Sequence, residues 1–364
     1  MKRALAGLAL TLVLAAYGAG TAADAPRAAA PAPQAGADAP PTPAGATLAA
    51  RNAELLRQLE TVHGLSAAQM QAVRAIFARS RYLGQGNPAV TRHPVTTAQC
   101  ESKLRSAGVE YASPRYERIC GARYMAPLYD PRRERAEEAA ACIDQFEFPD
   151  MPCAYPVVWV RAREAAELCA AEGKRLCDAH EWEGACEGRL EPPDYRFDLA
   201  AGQRAEAAVA RMRAAHNRAH EAGKRWSYGA EYEPGVCAAG STKSPGCGGD
   251  GWSRCGSNTY PAGDFPACHS PLDVYDLNGN AAEHMNLPLT PAQMSSRGST
   301  ELGYTEMKGS WFIFDSYRAH PDWCRWRAPF WHGTRVLDPD SHANYHLGFR
   351  CCKTLPQHEG AAAR

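Results

Sequence analysis

Apolar residues recur with helical spacing from residue 48 onward. Leu55, Leu56, Leu59 and Val62 share one face, and Met70, Val73, Ile76 and Phe77 line another segment. His63-Gly64 separates the two, and Ser66 is a suitable N-cap for the second. A short helix is predicted around 97–106. Residues 142–160, CIDQFEFPDMPCAYPVVWV, hold two strand-like runs split by Pro149, Asp150 and Pro152. RAREAAELCAAEG then reads as a helix stopped by Gly173, and Asp178 as the cap of a second, DAHEWEGAC. Residues 199–224 form an Ala/Arg/Glu-rich helical insertion. Beyond 226 the chain is turn-dense and aromatic. Helices first and an irregular β-rich half afterwards predict an α+β fold with little regular secondary structure.

The N-terminus adds a compartment. MKR precedes ALAGLALTLVLAAYGAG, a short apolar run with small residues behind it, so 1–23 reads as a signal peptide cleaved after Ala23 or Ala25. The run is too short and wrongly flanked for a retained membrane span. Residues 24–47 are an Ala/Pro tether, 48–116 a helical region, 117–353 the main domain and 354–364 a tail. The expectation is a periplasmic or secreted protein.

Fourteen cysteines fit export. At scattered spacings in an oxidising compartment they read as disulfides, because Cys237, Cys247, Cys255 and Cys268 form no zinc knuckle. Adjacent Cys351 and Cys352 should each pair elsewhere. Forty basic and forty acidic residues cancel, which argues against a nucleic-acid partner.

Three places carry candidate chemistry. DVYDLNGNAAEHMN at 273–286 crowds Asp276, Asn278, Asn280 and Glu283 around Gly279, oxygens that suit a hard cation. Asn-Gly is also a hairpin signal, and the residues alone favour that turn. Val274 and Met285 occupy the outer ligand positions of an EF-hand loop and exclude one. His216 and His220 lie four apart on the insertion, a spacing suited to one metal face, although a solvated helix is the simpler reading. His320, His332, His342 and His346 lie near Asp315, Asp322 and Asp340; a metal or acid–base site competes there with scattered polar loop residues. No nucleophile elbow, P-loop or dinucleotide fingerprint is present.

Five blocks in order carry a resemblance. EAAELCAAEGKRLCDAHEWEGAC, RWSYGAEY, VYDLNGNAAEHMN, KGSWFIFDSYR and HLGFRCC together resemble the formylglycine-generating enzyme (sulfatase-modifying factor) family. The resemblance implies an α+β, C-type-lectin-like fold over roughly 120–353. It implies disulfides Cys169–Cys351 and Cys186–Cys324, each limiting the unfolded chain by about 3 to 5 kcal/mol. Cys177 with Cys352, and a local Cys142–Cys153 bridge, are further expectations. Structural calcium is implied at Asp276, Gly279, Ala281 and Glu283. A second calcium turn would use Asp250 and Trp252, but Ala238-Ala239 stands where that site needs an oxygen side chain.

The family reaction requires two copper(I)-binding cysteines, and here those positions are Ile313 and Arg318. Copper is therefore not expected. The loop 327–345 would wall the family's groove, with Phe330, Trp331, His332 and Arg335 as recognition residues. The expected function is a non-catalytic, calcium- and disulfide-stabilised module binding an unidentified protein or small molecule. The alternative is an oxidoreductase of altered chemistry using metal at the His-rich loop, and a third is formylglycine formation through other cysteines.

Overall fold

The computed structural model describes residues 47–248, 251–328 and 333–356. The expected signal peptide, all but the last residue of the linker, most of the tail, and Asp250, Phe330, Trp331 and His332 lie outside them.

The helical pattern translates directly into α1 (Leu48–His63) and α2 (Ala67–Arg79). Thr47 caps the first, and Ser66 with Gln69 forms a capping box on the second. Their apolar faces enter a core shared with α5 (Ala162–Ala171), Phe349 and Cys351. The helical region therefore packs on the core of the main domain. Two shorter helices follow α2, namely α3 (Thr97–Ala107) and α4 (Pro114–Cys120).

Two small sheets complete the frame. In the first, β1 (Met125–Leu128), β2 (Ala141–Asp144), β3 (Arg175–Leu176) and β7 (Cys351–Thr354) lie antiparallel in the order β1-β2-β7-β3. In the second, β4 (Ala282–Leu287) pairs antiparallel with β5 (Tyr304–Lys308) and parallel with β6 (Leu347–Phe349). A single residue, Arg350, separates β6 from β7 and links the sheets. The helices α6 (Ala179–Glu187) and α7 (Ala205–His220) complete the set, and among the described residues no helix is long and apolar enough to cross a membrane.

Three expectations need correction. The second strand-like run breaks at Trp159, whose φ is 57°, and forms only an isolated bridge, Gly84 with Val158. Asp178 occupies the N-cap of α6, yet its carboxylate accepts from Asn286 Nδ2 and from the Ser295 and Ser296 amides and hydroxyls. Thus it ties α6 to β4 and a distant turn, while Glu181 accepts its backbone N–H. Finally, Cys142 and Cys153 do not pair. Cys142 sits in a cluster with Cys120 and Met125, and Cys153 in another with Cys100, Leu104 and Tyr111, so the bridges are Cys120–Cys142 and Cys100–Cys153.

All fourteen cysteines are joined, the other bridges being Cys169–Cys351, Cys177–Cys352, Cys186–Cys324, Cys237–Cys268 and Cys247–Cys255. Two of them anchor β7, to α5 and to the residue after β3.

Candidate functional site

The loop before β4 is buried and its polar atoms are largely committed. Gly279 has φ 93°, and a Cβ there would meet the Ala238 carbonyl at 3.0 Å, so glycine is needed for both backbone and space. Asn280 receives the Tyr260 N–H, and Ala281 donates its N–H to Glu147. Glu283 is fully buried, and Arg350 grips both of its oxygens at 2.7 and 2.8 Å. Trp182 Nε1 adds a third donor. All five Arg350 N–H groups are used, the remaining three on the carbonyls of Asp144, Gln145 and Tyr275.

This geometry bears on calcium. Asp276 Oδ2 accepts the Gly263 N–H at 2.7 Å, while Oδ1 is buried without a hydrogen-bond partner and is open to a cation. Glu283 is not open, because its charge is already compensated by Arg350. Calcium takes about six to eight oxygens, and the expected set retains one free carboxylate oxygen. Glu283 does not fit the expected site. The second turn fares similarly: the Ala238 carbonyl accepts from Asn280, that of Ala239 from Asp315, and that of Trp252 from Asn87.

Beside this loop lies a shallow cleft lined by Tyr228, Tyr232, Glu233, Ser310, Asp315 and Asp322. Ser310 follows β5 by two residues; its hydroxyl accepts the Gly279 N–H and donates to Asp322 Oδ2, each at 2.9 Å. Trp226 Nε1 donates to Asp322 Oδ1 at 2.7 Å, and Asn278 Nδ2 holds the Asp322 carbonyl. Burial pushes the Asp322 carboxyl up to about 6, against the opposing pull of Trp226 and Ser310. Asp315 accepts from the Tyr232 hydroxyl and the Gly235 N–H, and the Arg318 guanidinium stacks 4.0 Å over the Tyr232 ring. The cleft is acidic and phenolic, with one exposed arginine at its edge.

The structure separates the other candidates. Ile313 is 3% exposed and packs with Trp311, Phe312 and Tyr345. Arg335 lies over Tyr304 and pairs with it in a β-bridge, and it does not line the cleft. His320 stacks on Trp326, and His346 meets Trp311 edge to face. Against the solvated-helix reading, His216 is 3% exposed and its Nε2 donates to the Arg325 carbonyl. Tyr228, Tyr232 and Glu233 were missed from sequence. They lie in or just after RWSYGAEY, a block whose only sign was the family pattern.

A family model, the sulfatase-modifying factor enzyme 1-like domain, matches residues 88–355. The chain belongs to this family. The match opens inside the 48–116 segment. Two solved structures are similar to it: PvdO from Pseudomonas aeruginosa, at 18% identity over 72% of this chain and 78% of that one, with a TM-score of 0.28, and CarF, at 12% identity over 64% and 97%, with a TM-score of 0.29. No curated protein matches in sequence.

Proposed function

We propose that this chain is an exported, non-catalytic binding module of the family, whose cleft takes a cationic, hydrogen-bond-donating group from a protein or small molecule. The observation that carries the reading is the fate of sulfur. Copper(I) requires soft thiolate ligands, yet Ile313 and Arg318 stand at the two positions and every cysteine is disulfide-bonded. The donor set does not fit copper. Three carboxylates and two phenols beside those positions suit an ammonium or guanidinium group instead. Disulfides and buried ion pairs supply rigidity, and Arg350 keeps Glu283 from serving as a calcium ligand. The oxidoreductase alternative gains nothing from the loop histidines, since His320 and His346 are packed on tryptophans.

Two experiments test this. Incubation with a sulfatase-type cysteine peptide, with and without copper, followed by mass spectrometry, should yield no aldehyde; an aldehyde would refute the non-catalytic reading. Titration with agmatine, spermidine and a Glu-rich control peptide, followed by tryptophan fluorescence, should show saturable binding of a cation. That binding should weaken roughly tenfold in Asp315→Asn, an amount typical of one charge-assisted hydrogen bond. Binding of the acidic peptide alone would overturn the cleft assignment.

A further inference from the structure

A separate cluster sits where α7 meets the loop before it. Asp194, His216 and His220 each present one ligand atom, and these atoms all lie within 4.8 Å of one another. Among the described residues they are the one such group of three or more histidine, cysteine or carboxylate side chains. His216 and His220 share one face of α7, with ring centroids 4.5 Å apart. Asp194 comes from outside the helix, so the group exists only once the insertion has folded.

The hydrogen bonding around His216 is unsatisfied in a specific way. Its Nε2 meets the Arg325 carbonyl at 2.8 Å. A carbonyl only accepts, so Nε2 carries the proton, and Nδ1 of a neutral ring is a bare lone pair. That lone pair lies 2.8 Å from Asp194 Oδ2, and Nδ1 is buried without a hydrogen bond. Two polar atoms thus meet at contact distance with no hydrogen bond between them. His220 Nε2 reaches the same Asp194 oxygen at 2.8 Å.

A cation at the shared point resolves this conflict. We propose that Asp194 Oδ2, His216 Nδ1 and His220 Nε2 bind a divalent first-row transition metal, zinc or one of similar preference, with a further position open to solvent. Two imidazoles and one carboxylate suit zinc, iron, nickel or copper, and do not suit calcium or magnesium. Ligand atoms around tetrahedral zinc stand about 3.3 Å apart, so both 2.8 Å contacts would have to open by about half an ångström. The partly exposed side chains of Asp194 and His220 allow that movement. Outer partners that orient metal ligands are already in place: the Arg325 carbonyl fixes the His216 tautomer, and Arg327 Nη2 holds Asp194 Oδ1 at 3.2 Å. On binding, His220 keeps its proton on Nδ1.

Arg327 is the charge that opposes a cation here. Its guanidinium is held bidentately by Glu183, so the local balance is not left to the metal ligands alone. The proposal rests on no part of the cleft reading.

The test is isothermal titration of untagged, metal-stripped full-length protein with zinc chloride, repeated with cobalt(II) under visible spectroscopy. One zinc per chain is expected, with at least roughly tenfold weaker binding in both His220→Ala and Asp194→Asn, the scale seen for loss of metal-site groups. The cobalt absorption of a low-coordinate nitrogen–oxygen site should disappear in the same variants. His220→Ala carries the decision because that side chain is partly exposed and its loss spares the core; circular dichroism confirms folding. Absence of saturable zinc uptake would mean that an imidazolium–carboxylate pair satisfies the site, and would overturn the proposal. Uptake unchanged in both variants would overturn it equally, since the ion would then sit elsewhere.

Discussion

Replacing Arg350 with methionine isolates the most heavily used side chain of the loop before β4. The substitution keeps the aliphatic stem and removes five donors. Glu283 is left buried with only Trp182 as donor, and three main-chain carbonyls lose the guanidinium, although that of Gln145 keeps the Tyr275 N–H. Breaking a buried ion pair from one side costs about 3 to 5 kcal/mol. At about 2 to 4 °C per kcal/mol for a domain of this class, Tm should fall by roughly 10 °C. The cost should depend on pH. Burial already holds the Glu283 carboxyl above its ordinary range despite Arg350. Without the guanidinium that pKa rises further, and protonation can then relieve the charge. The folded variant holds a proton that the unfolded chain gives up as pH rises, so its deficit should be smaller at pH 5 than at pH 8. Calorimetry of wild type, Arg350→Met, Glu283→Gln and the double variant at both pH values closes the cycle, and a coupling of about 2 kcal/mol is expected. A loss below about 1 kcal/mol in Arg350→Met, at the level of an exposed ion pair, would refute the account. Selective rescue of Arg350→Met by calcium would show that Glu283 is a calcium ligand after all.

Other expectations follow from the same geometry. Chelation with EGTA should leave the wild-type Tm unchanged within about 1 °C, since removing an ion that binds only the folded state must lower it; a clear fall would restore calcium to Asp276. Burial pushes the Asp276 carboxyl up to about 7, so its contribution is complete below pH 4 and is lost as pH rises through 7. Asp276→Asn removes that loss, and its Tm relative to wild type should climb between pH 5 and pH 8; a flat difference would sink the assignment. Replacing both Cys186 and Cys324 with alanine opens a bridge of sequence separation 138 and should cost about 4 to 5 kcal/mol in denaturant unfolding. Binding of agmatine at the cleft should strengthen with a midpoint near pH 6 as Asp322 ionises, and this step should vanish in Asp322→Asn.

The parts legible in sequence were those decided locally. Ser66 and Gln69 cap α2 within one turn, and Leu55, Leu56 and Leu59 form a stripe whose spacing alone marks the buried face. Resemblance supplied Cys169–Cys351 and Cys186–Cys324, which proximity in the chain could not suggest. Proximity misled at Cys142, because the distribution of cysteines among separate core clusters appears only in three dimensions. His216 shows the same limit. Its helix reads as solvated because the segment that covers it, around Arg325 and Arg327, lies 109 residues further on. The surroundings of Glu283 were hidden for a related reason: Arg350 reaches it across 67 positions and compensates its charge.

These long reaches share a cause. A fold with short strands and long irregular connections leaves many buried carbonyls without a ladder partner, and each must find a donor. Here the donors are charged or amide side chains. Arg350 serves Asp144, Gln145 and Tyr275, Lys308 serves Trp326, and Asn217 serves Arg327. Each buried cation then needs a carboxylate, which explains Glu283 beside Arg350 and Glu183 beside Lys308 and Arg327. Buried charge in this chain is thus mostly structural, and its presence alone does not mark a site. The informative groups are those with capacity left after the backbone has been satisfied. Asp315 and Glu233 at the cleft remain within reach of solvent, and His216 Nδ1 meets Asp194 Oδ2 at 2.8 Å without a hydrogen bond. This fold therefore presents two places where a ligand would improve on what the protein does for itself.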